Sequence, residues 1–271
     1  MNYRTFVKYN GIFGGGGVKG IAYVGALYAL ERNGFLINKA GGTSVGAIIA
    51  GLLIAGYTSI DLLNIIEKIN FKEFEQLFSI KKVGNYVKNK GLVSSNKIYQ
   101  FLKPYFLRKN IWYYQDVMEN GKSKLKVSVT RLNSLLSKKP TLEEIIIPDD
   151  LENQKINKYT FPIVDSIVMS SAFPVYFTPY EINNKLYIDG GIKGKINLNL
   201  FNDEPNIKIA FCLKKNPKEI IKPIFGGYMV MIDTKDVTTF NFKLSSKDKK
   251  KLLESGYQSA LYLINRLSMQ S

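Results

Sequence analysis

The chain contains 271 residues, of which 38 are Lys or Arg and 22 are Asp or Glu, so its formal charge at pH 7 is +16. Apolar residues make up 45% of it, enough for a sizeable hydrophobic core, which excludes a disordered chain. Histidine is absent, so a Ser-His-Asp triad, an H-E-x-x-H zinc protease and a His-ligated haem or copper site are excluded. The single cysteine, Cys212, excludes an internal disulfide and a thiolate cluster for zinc or iron–sulfur.

The excess of positive charge has three explanations. A lysine-rich surface can be solvated without a dedicated partner, can dock on an anionic membrane, or can bind nucleic acid. No arginine-rich arm or nucleic-acid motif favours the third, so we expect no nucleic-acid partner and keep peripheral contact with an anionic membrane as an expectation. Since neither a targeting segment nor a disulfide pattern is evident, the expected location is the cytoplasm.

Strand-like and helix-like segments alternate along the first half of the chain. A strand ending at Phe13 is followed by four glycines, and a helix is predicted from Val18 to Arg32. A short strand over Phe35–Ala40 and a Gly-Gly turn then precede an apolar helix from Val45 to Gly56. The uncharged stretch from Ala40 to Ile60 is about as long as a membrane span, but its glycines and its turn favour a buried helix.

Further helices are predicted at Ile60–Asn70, Asn96–Leu107, Val164–Ser171 and Ser246–Leu267, and further strands at Lys124–Leu132, Tyr176–Ile182, Lys185–Ile188 and Ile207–Leu213. This order predicts an α/β fold with a central, mostly parallel sheet flanked by helices and joined by right-handed crossovers. No linker or internal repeat is visible, so one domain is expected over residues 1–271.

The first glycine motif, Gly14–Gly20, lies between a predicted strand and a predicted helix. It contains G-x-G-x-x-G, but a dinucleotide site would need an acidic residue about 20 positions later. Between Glu31 and Asp61 there is none. A phosphate-binding P-loop is also disfavoured, because Lys19 is followed by glycine and not by Ser or Thr.

We interpret this glycine motif as an oxyanion hole. Consecutive glycines let the backbone approach a substrate closely, and their N–H groups are reinforced by the positive end of the following helix. Such donors stabilise the oxygen that becomes negative when an ester carbonyl is attacked. The predicted donors are Gly15, Gly16, Gly17 and, at the start of the next helix, Val45. Lys19 is unfavourable for the helix dipole, so it is either a surface lysine or is retained for a structural or ligand contact.

The second motif, Gly42-Thr43-Ser44-Val45-Gly46, is a G-x-S-x-G between a short strand and an apolar helix. A nucleophile elbow requires this context, because Gly42 and Gly46 permit the sharp turn that presents Ser44. A helix N-cap is the alternative role for this serine. As a nucleophile it would need a base, and without histidine the candidates are Asp, Glu or Lys.

The third motif, Asp189-Gly190-Gly191, follows the predicted strand Lys185–Ile188. Turn formation alone explains many Asp-Gly pairs. Together with the other two motifs, however, this carboxylate at a strand end suggests a two-residue dyad in which Asp189 takes the hydroxyl proton of Ser44 directly.

These three motifs, in this order, resemble the motif blocks of patatin-like phospholipases, a family of lipid acyl hydrolases. Residues 170–174, Ser-Ser-Ala-Phe-Pro, are similar to the Ser-Ala-x-x-Pro stretch of that family. The resemblance covers about residues 6–195, and residues 200–271 remain unassigned. Lys19 stands where many members have Arg, and Gly14 where Asp or Ser is common. Gly20, Gly42, Gly46, Gly190 and Gly191 match the supporting glycines of the motifs.

The resemblance implies an α/β-hydrolase-related three-layer sandwich that acts without a metal or cofactor. It also implies Ser44 as the nucleophile, Asp189 as the base and a phospholipid or other fatty-acyl ester as the substrate. An acyltransferase, or an esterase or thioesterase with a soluble substrate, would use the same dyad and stays open. A non-catalytic lipid-binding module and a nucleotide-binding protein are the more distant alternatives.

Overall fold

The computed structural model describes residues 6–68, 95–132, 141–174 and 176–269. Its strands are β1 (Val7–Phe13), β2 (Phe35–Thr43), β3 (Met118–Glu119), β4 (Lys122–Ser123), β5 (Leu125–Leu132), β6 (Leu142–Ile147), β7 (Tyr180–Ile182), β8 (Lys185–Asp189), β9 (Ile207–Lys214), β10 (Ile221–Ile224) and β11 (Gly227–Asp233). Its α-helices are α1 (Ile21–Arg32), α2 (Val45–Ile54), α3 (Ser59–Lys68), α4 (Asn96–Arg108), α5 (Ile163–Ser171) and α6 (Ser246–Ser268).

The core is a nine-stranded sheet, and β3 and β4 form a separate hairpin. The central strands run parallel in the order β11-β9-β1-β2-β5. Four antiparallel strands complete the sheet, with β10 on β11, β6 and β8 on β5, and β7 on β8. The predicted α/β class with a mostly parallel sheet flanked by helices is therefore confirmed.

The two faces of the sheet are covered differently. The main core cluster contains alternate residues of the central strands, such as Tyr9 and Phe13, together with apolar residues of all six helices. On the other face, Ile12 and Ala210 pack against Leu200 and Phe201, which lie in the connection between β8 and β9. In the part of the chain that the structure describes, an extended connection covers that second face in place of a helix.

The edges of β5 explain how two distant parts of the chain meet. β6 pairs along one edge of β5. On the other edge, β2 runs parallel to β5 and ends with Thr43 opposite Ser128, whereas β8 runs antiparallel and ends with Asp189 opposite Val129. The C-terminal ends of β2 and β8 therefore meet beside the middle of β5, and this arrangement places Ser44 next to Asp189.

The uncharged stretch from Ala40 to Ile60 contains the end of β2, the helix α2 and the beginning of α3. Most of α2 is buried, and Gly51 faces Ile167 of α5 so closely that a Cβ would lie 2.5 Å from its side chain. A buried helix, as predicted, accounts for the stretch. Within the described residues no helix combines the length and the apolar character needed to cross a bilayer.

The unassigned C-terminal part contributes to this sheet and to its helices. β9 lies between β1 and β11, and α6 packs along α1. The two helices approach each other through glycines: a Cβ on Gly256 would lie 1.8 Å from the Ala22 carbonyl oxygen, and one on Gly25 would lie 1.9 Å from that of Leu253. The prediction of a single domain over residues 1–271 stays a prediction, since parts of the chain lie outside the described residues.

Several predicted boundaries are wrong for identifiable reasons. The helix expected from Val18 begins at Ile21, because Gly17–Gly20 form a 3-10 turn. The Gly-Gly turn expected after Ala40 is instead part of β2, because Gly41 and Gly42 pair with β1 on one side and β5 on the other. Strands β3, β4, β6, β10 and β11 were not predicted, and the predicted end of the third helix at Asn70 lies outside the described residues.

Candidate active site

Ser44 occupies a strained turn between β2 and α2. Its φ of 56° and ψ of −125° are unusual for a residue with a side chain, and such strain is concentrated at functional turns. Gly46 is required here, because a Cβ on it would lie 2.1 Å from the carbonyl oxygen of Phe13. The same holds for Gly42, whose Cβ would lie 2.3 Å from the Gly46 backbone. The geometry is that of the predicted elbow, and the Ser44 side chain caps no helix N–H.

The structure brings the predicted nucleophile and the predicted base into direct contact. The Ser44 hydroxyl donates to Oδ2 of Asp189 over 2.6 Å. The other oxygen, Oδ1, accepts from the Gly191 N–H at 2.7 Å, which fixes the orientation of the carboxylate. Gly190 allows this approach, since a Cβ on it would lie 2.2 Å from the Ser128 carbonyl oxygen.

Ser170 of α5 holds the backbone of the elbow. Its buried hydroxyl accepts from the Ser44 N–H at 2.8 Å and donates to the Ser128 carbonyl at 2.6 Å. One side chain thus ties the elbow to β5 and satisfies two backbone groups. The sequence placed Ser170 in a family-like stretch but indicated no role for it.

Burial raises the pKa of Asp189 to about 6, against the hydrogen bonds from Ser44 and Gly191, which lower it. Asp189 as a whole residue is only 2% exposed. A pKa near 6 leaves the group mostly ionised at neutral pH and makes it a stronger base than an ordinary aspartate. An ionised and more basic carboxylate suits the role of accepting a proton directly from serine, where other enzymes use the imidazole of a histidine.

The glycine loop between β1 and α1 offers fewer free amides than predicted. The N–H of Gly15 donates to the Lys195 carbonyl at 2.7 Å, and the N–H of Val18 donates to the Thr239 carbonyl at 3.1 Å. The structure therefore removes Gly15 from the predicted donors, although it stays close enough for a Cβ to lie 3.5 Å from Cβ of Ser44.

The amides of Gly16, Gly17 and Val45 remain as candidate donors. No hydrogen-bond acceptor within the described ranges contacts any of the three. All three residues line the cavity that contains Ser44. Gly20 supports this arrangement by leaving room for Val45, since a Cβ on Gly20 would lie 2.4 Å from the valine side chain.

A cavity of about 410 Å³ contains both Ser44 and Asp189. This volume falls in the range of about 300–1,000 Å³ that is typical of small-molecule sites. Its walls away from the dyad are almost entirely apolar, and they come from α2, α3, α4, the segment after α5 and the connection between β11 and α6. The apolar residues include Ile48, Ile49, Leu52, Leu62, Ile65, Ile66, Ile98, Phe101, Phe173, Phe177, Phe240 and Phe242.

Lys19 is half-buried and lines this cavity together with Lys195. Burial lowers the pKa of Lys19, and the neighbouring charge of Lys195 lowers it further, whereas Cys212 acts in the opposite direction. Neither lysine forms an ion pair with a carboxylate within the described residues. Lys19 is therefore more than a freely solvated surface residue, and the pair places positive charge at the cavity.

The described residues contain no group of three or more Cys, Asp or Glu side chains arranged to hold a metal ion.

Comparison with known proteins finds relatives in sequence, including a bacterial and a viral protein, and structures with a similar fold. The uncharacterized protein YqhO of Bacillus subtilis (strain 168) is 28% identical over 241 residues, which cover 83% of this chain and 79% of YqhO. The probable lipid hydrolase 463L of Invertebrate iridescent virus 6 is 27% identical over 222 residues, which cover 80% of this chain and 67% of 463L. The structure of VipD from Legionella pneumophila matches with a TM-score of 0.57 at 15% identity, covering 95% of this chain and 67% of VipD.

The likeness to VipD is one of fold. The sequence profile described as patatin-like phospholipase matches residues 11–201, which make up most of the chain and include Ser44, Asp189 and the glycine loop. The chain therefore belongs to the patatin-like phospholipase family.

Proposed function

We propose that this protein is a lipid acyl hydrolase of the phospholipase A type, with Ser44 as nucleophile and Asp189 as base. The observation that carries the proposal is the 2.6 Å hydrogen bond from the Ser44 hydroxyl to the buried Asp189 carboxylate, inside an apolar cavity. Family membership and the name of the viral relative support lipid ester hydrolysis in general.

In the first half of the reaction, Asp189 accepts the hydroxyl proton while Oγ of Ser44 bonds to the ester carbonyl carbon. The carbonyl oxygen becomes negative and is held by the amides of Gly16, Gly17 and Val45. The bond from carbon to the alcohol oxygen then breaks. The protonated Asp189 returns the proton to the leaving oxygen, which releases a lysophospholipid or other alcohol and leaves an acyl-serine.

In the second half, a water molecule takes the place of the alcohol. Asp189 accepts one proton from this water as its oxygen attacks the acyl-serine carbonyl, and the same amides hold the new oxyanion. The bond to Oγ of Ser44 breaks, and the proton on Asp189 returns to the serine. The products are a fatty acid and the free enzyme.

The cavity lining supports a fatty-acyl substrate that carries an anionic group. Apolar side chains from three helices surround the space beyond Ser44, and burying an acyl chain there is favourable by about 0.8 kcal/mol for each methylene removed from water. Lys19 and Lys195 place two positive charges at the same cavity without a carboxylate partner in the described residues. A phosphate-bearing head group fits that charge better than a neutral ester does.

The test is the release of fatty acid from vesicles of phosphatidylcholine and phosphatidylglycerol. Wild type is compared with Ser44→Ala, and the matched control is Ser246→Ala, which makes the same change at an exposed serine of α6. We expect release by wild type and by the control and none by Ser44→Ala. Release by a correctly folded Ser44→Ala protein would refute the mechanism.

Adding an acceptor alcohol to the same assay separates hydrolysis from acyl transfer. A hydrolase forms free fatty acid at an unchanged rate, whereas an acyltransferase forms a new ester at the expense of the acid. If wild type releases no fatty acid from vesicles but cleaves soluble esters or thioesters, the alternative of an esterase or thioesterase with a soluble substrate is favoured.

Peripheral contact with an anionic membrane is also a proposal, supported by the charge of +16. Sedimentation with vesicles tests it. We expect binding to vesicles that contain phosphatidylglycerol to exceed binding to pure phosphatidylcholine vesicles at low salt, and equal binding to both would refute it.

A further inference from the structure

The connection between β11 and α6, residues 234–245, runs across the catalytic cavity. Thr239, Phe240 and Phe242 line the same cavity as Ser44. The connection starts from a buried anchor, because Thr234 is 1% exposed and its N–H donates to the Lys214 carbonyl at 3.1 Å. It lies outside residues 11–201, which the family profile matches.

Thr239 contacts the glycine loop through its backbone. Its carbonyl oxygen accepts the Val18 N–H at 3.1 Å. Gly17, with a φ of 57°, lies so close that a Cβ would be 2.2 Å from the same oxygen. The Thr239 carbonyl therefore contacts the second half of the glycine loop at both Gly17 and Val18.

These contacts leave some amides of the glycine loop hydrogen-bonded and others without an acceptor in the described residues. Gly15 is tied to the Lys195 carbonyl and Val18 to the Thr239 carbonyl. Between these two anchors lie Gly16 and Gly17, whose amides have no acceptor within the described residues. Two carbonyls from separate segments thus hold the ends of the loop and leave its two central amides available to a substrate oxygen.

Phe240, which follows Thr239 in the chain, lies in a cluster of aromatic rings. Its ring stacks on Tyr176, with centroids 4.3 Å apart and an interplanar angle of 17°. It also packs against Phe173 at 5.0 Å. Both partners follow α5, the helix whose Ser170 holds the elbow, so this aromatic cluster links the glycine loop and the elbow to one support. Aromatic pairs of this kind have specific geometries and restrict the segments that carry them.

We propose that residues 237–242 form a clamp that holds the oxyanion loop in its donating conformation, with Phe240 as the positioning residue. The inference rests on the proposed function for its catalytic consequence but not for the structural one. Donors that are held in place before reaction stabilise an oxyanion more than mobile ones, because no reorganisation is needed in the transition state. Loss of Phe240 should therefore lower kcat more than it raises KM.

The first experiment measures kcat and KM for a water-soluble short-chain ester with wild type, Phe240→Ala and Phe240→Tyr. The matched control is Phe225→Ala, which removes a ring that is 75% exposed in the turn between β10 and β11. A lost oxyanion donor costs about 10²–10³ in rate, and for a loosened one we expect about a tenfold loss of kcat in Phe240→Ala. KM should stay within about twofold, Phe240→Tyr should recover most of kcat, and Phe225→Ala should match wild type.

The second experiment measures the effect of Phe240 on the glycine loop without relying on catalytic activity. Amide-resolved hydrogen–deuterium exchange should show the Val18 N–H exchanging about tenfold faster in Phe240→Ala, whereas the Gly15 N–H, tied to Lys195, keeps its rate. Phe240→Leu, which retains volume without an aromatic ring, should lie between wild type and Phe240→Ala, and it replaces the latter if Phe240→Ala does not fold.

The outcomes separate the two proposals. Unchanged exchange of the Val18 N–H in both Phe240 variants would overturn the clamp. A raised KM with an unchanged kcat would also overturn it, because Phe240 would then be only a wall of the cavity. A wild type inactive on every ester would overturn the proposed function, while the exchange result would still decide the clamp.

Discussion

Residues 7–54 and residues 195–269 both build the site, but they contribute different groups. The first region supplies the hydroxyl of Ser44, the proposed nucleophile, and the amides of Gly16 and Gly17, the proposed oxyanion donors. The second supplies the backbone carbonyls of Lys195 and Thr239, together with packing. A reacting hydroxyl or a glycine turn requires one residue type and therefore leaves a sequence motif. A carbonyl acceptor is available from any residue and leaves none, so a region without motifs can still be necessary for the chemistry.

Replacing Asp189 gives the largest expected effect, because it removes the proposed base that the sequence motifs supply. In Asp189→Asn the proton acceptor is lost while the shape is kept, and we expect a rate loss of about 10⁴–10⁶-fold, the range between removing the orienting carboxylate of a triad and removing its histidine base. Because the pKa of Asp189 is raised to about 6, wild-type activity should rise with pH through about 6, where the carboxylate ionises. Fatty acid release between pH 4 and 9 measures both effects, and a flat profile would exclude Asp189 as the base.

Gly256→Ala tests whether the region without motifs is essential to the fold. The added Cβ would lie 1.8 Å from the Ala22 carbonyl oxygen, so α6 must move away from α1. Overpacking of this kind costs about 1–3 kcal/mol or more, and we expect about 3 kcal/mol in urea denaturation. Gly194→Ala is the control, because nothing lies within 4 Å of its added Cβ. Equal stability of the two variants would mean that the α1–α6 contact contributes little.

Ser170 and Ser171, adjacent at the end of α5, differ in their hydrogen bonding and allow a direct comparison of two alanine variants. Ser170→Ala removes the group that satisfies the Ser44 N–H and the Ser128 carbonyl, and a buried unsatisfied group costs about 1–3 kcal/mol. We expect about 2 kcal/mol of lost stability, with reduced activity because the elbow is no longer held. The Ser171 hydroxyl is buried without a hydrogen-bond partner in the described residues, so Ser171→Ala should leave stability unchanged or raise it. Equal losses in both variants would show that the Ser170 hydrogen bonds are not stabilising.

The smallest expected effect is a pH-dependent stability difference at the dyad. Burial raises the folded-state pKa of Asp189 above the ordinary value of about 4. The stability contributed by its neutral form is therefore present below pH 4 and lost as the pH rises through about 6. Asp189→Asn does not titrate and avoids this loss, so we expect it to match wild type at pH 4 and to be more stable than wild type at pH 8 by up to about 2 kcal/mol. Thermal unfolding at the two pH values measures the difference, and a gap that is constant with pH would contradict the raised pKa.

Much of the site could be predicted from the sequence. Ser44 in its elbow, Asp189 at a strand end and the glycine loop each depend on a residue type that the chemistry or the turn requires. The supporting contacts could not be predicted in this way. Gly15 was expected to donate to substrate, but its amide is taken by Lys195, and this is decided by how the connection after β8 folds back over the sheet.

The sequence by itself determined the chemistry available to this protein. Without histidine and with one cysteine, the proton acceptor for a serine nucleophile had to be Asp, Glu or Lys, and the strand–turn–helix context selected Ser44. Only the tertiary structure decided how Asp189 reaches Ser44, because β2 and β8 approach from opposite directions along one edge of β5. Burial at that meeting point raises the pKa of Asp189 and makes it a suitable base, and burial depends on the packing of segments that are far apart in the chain.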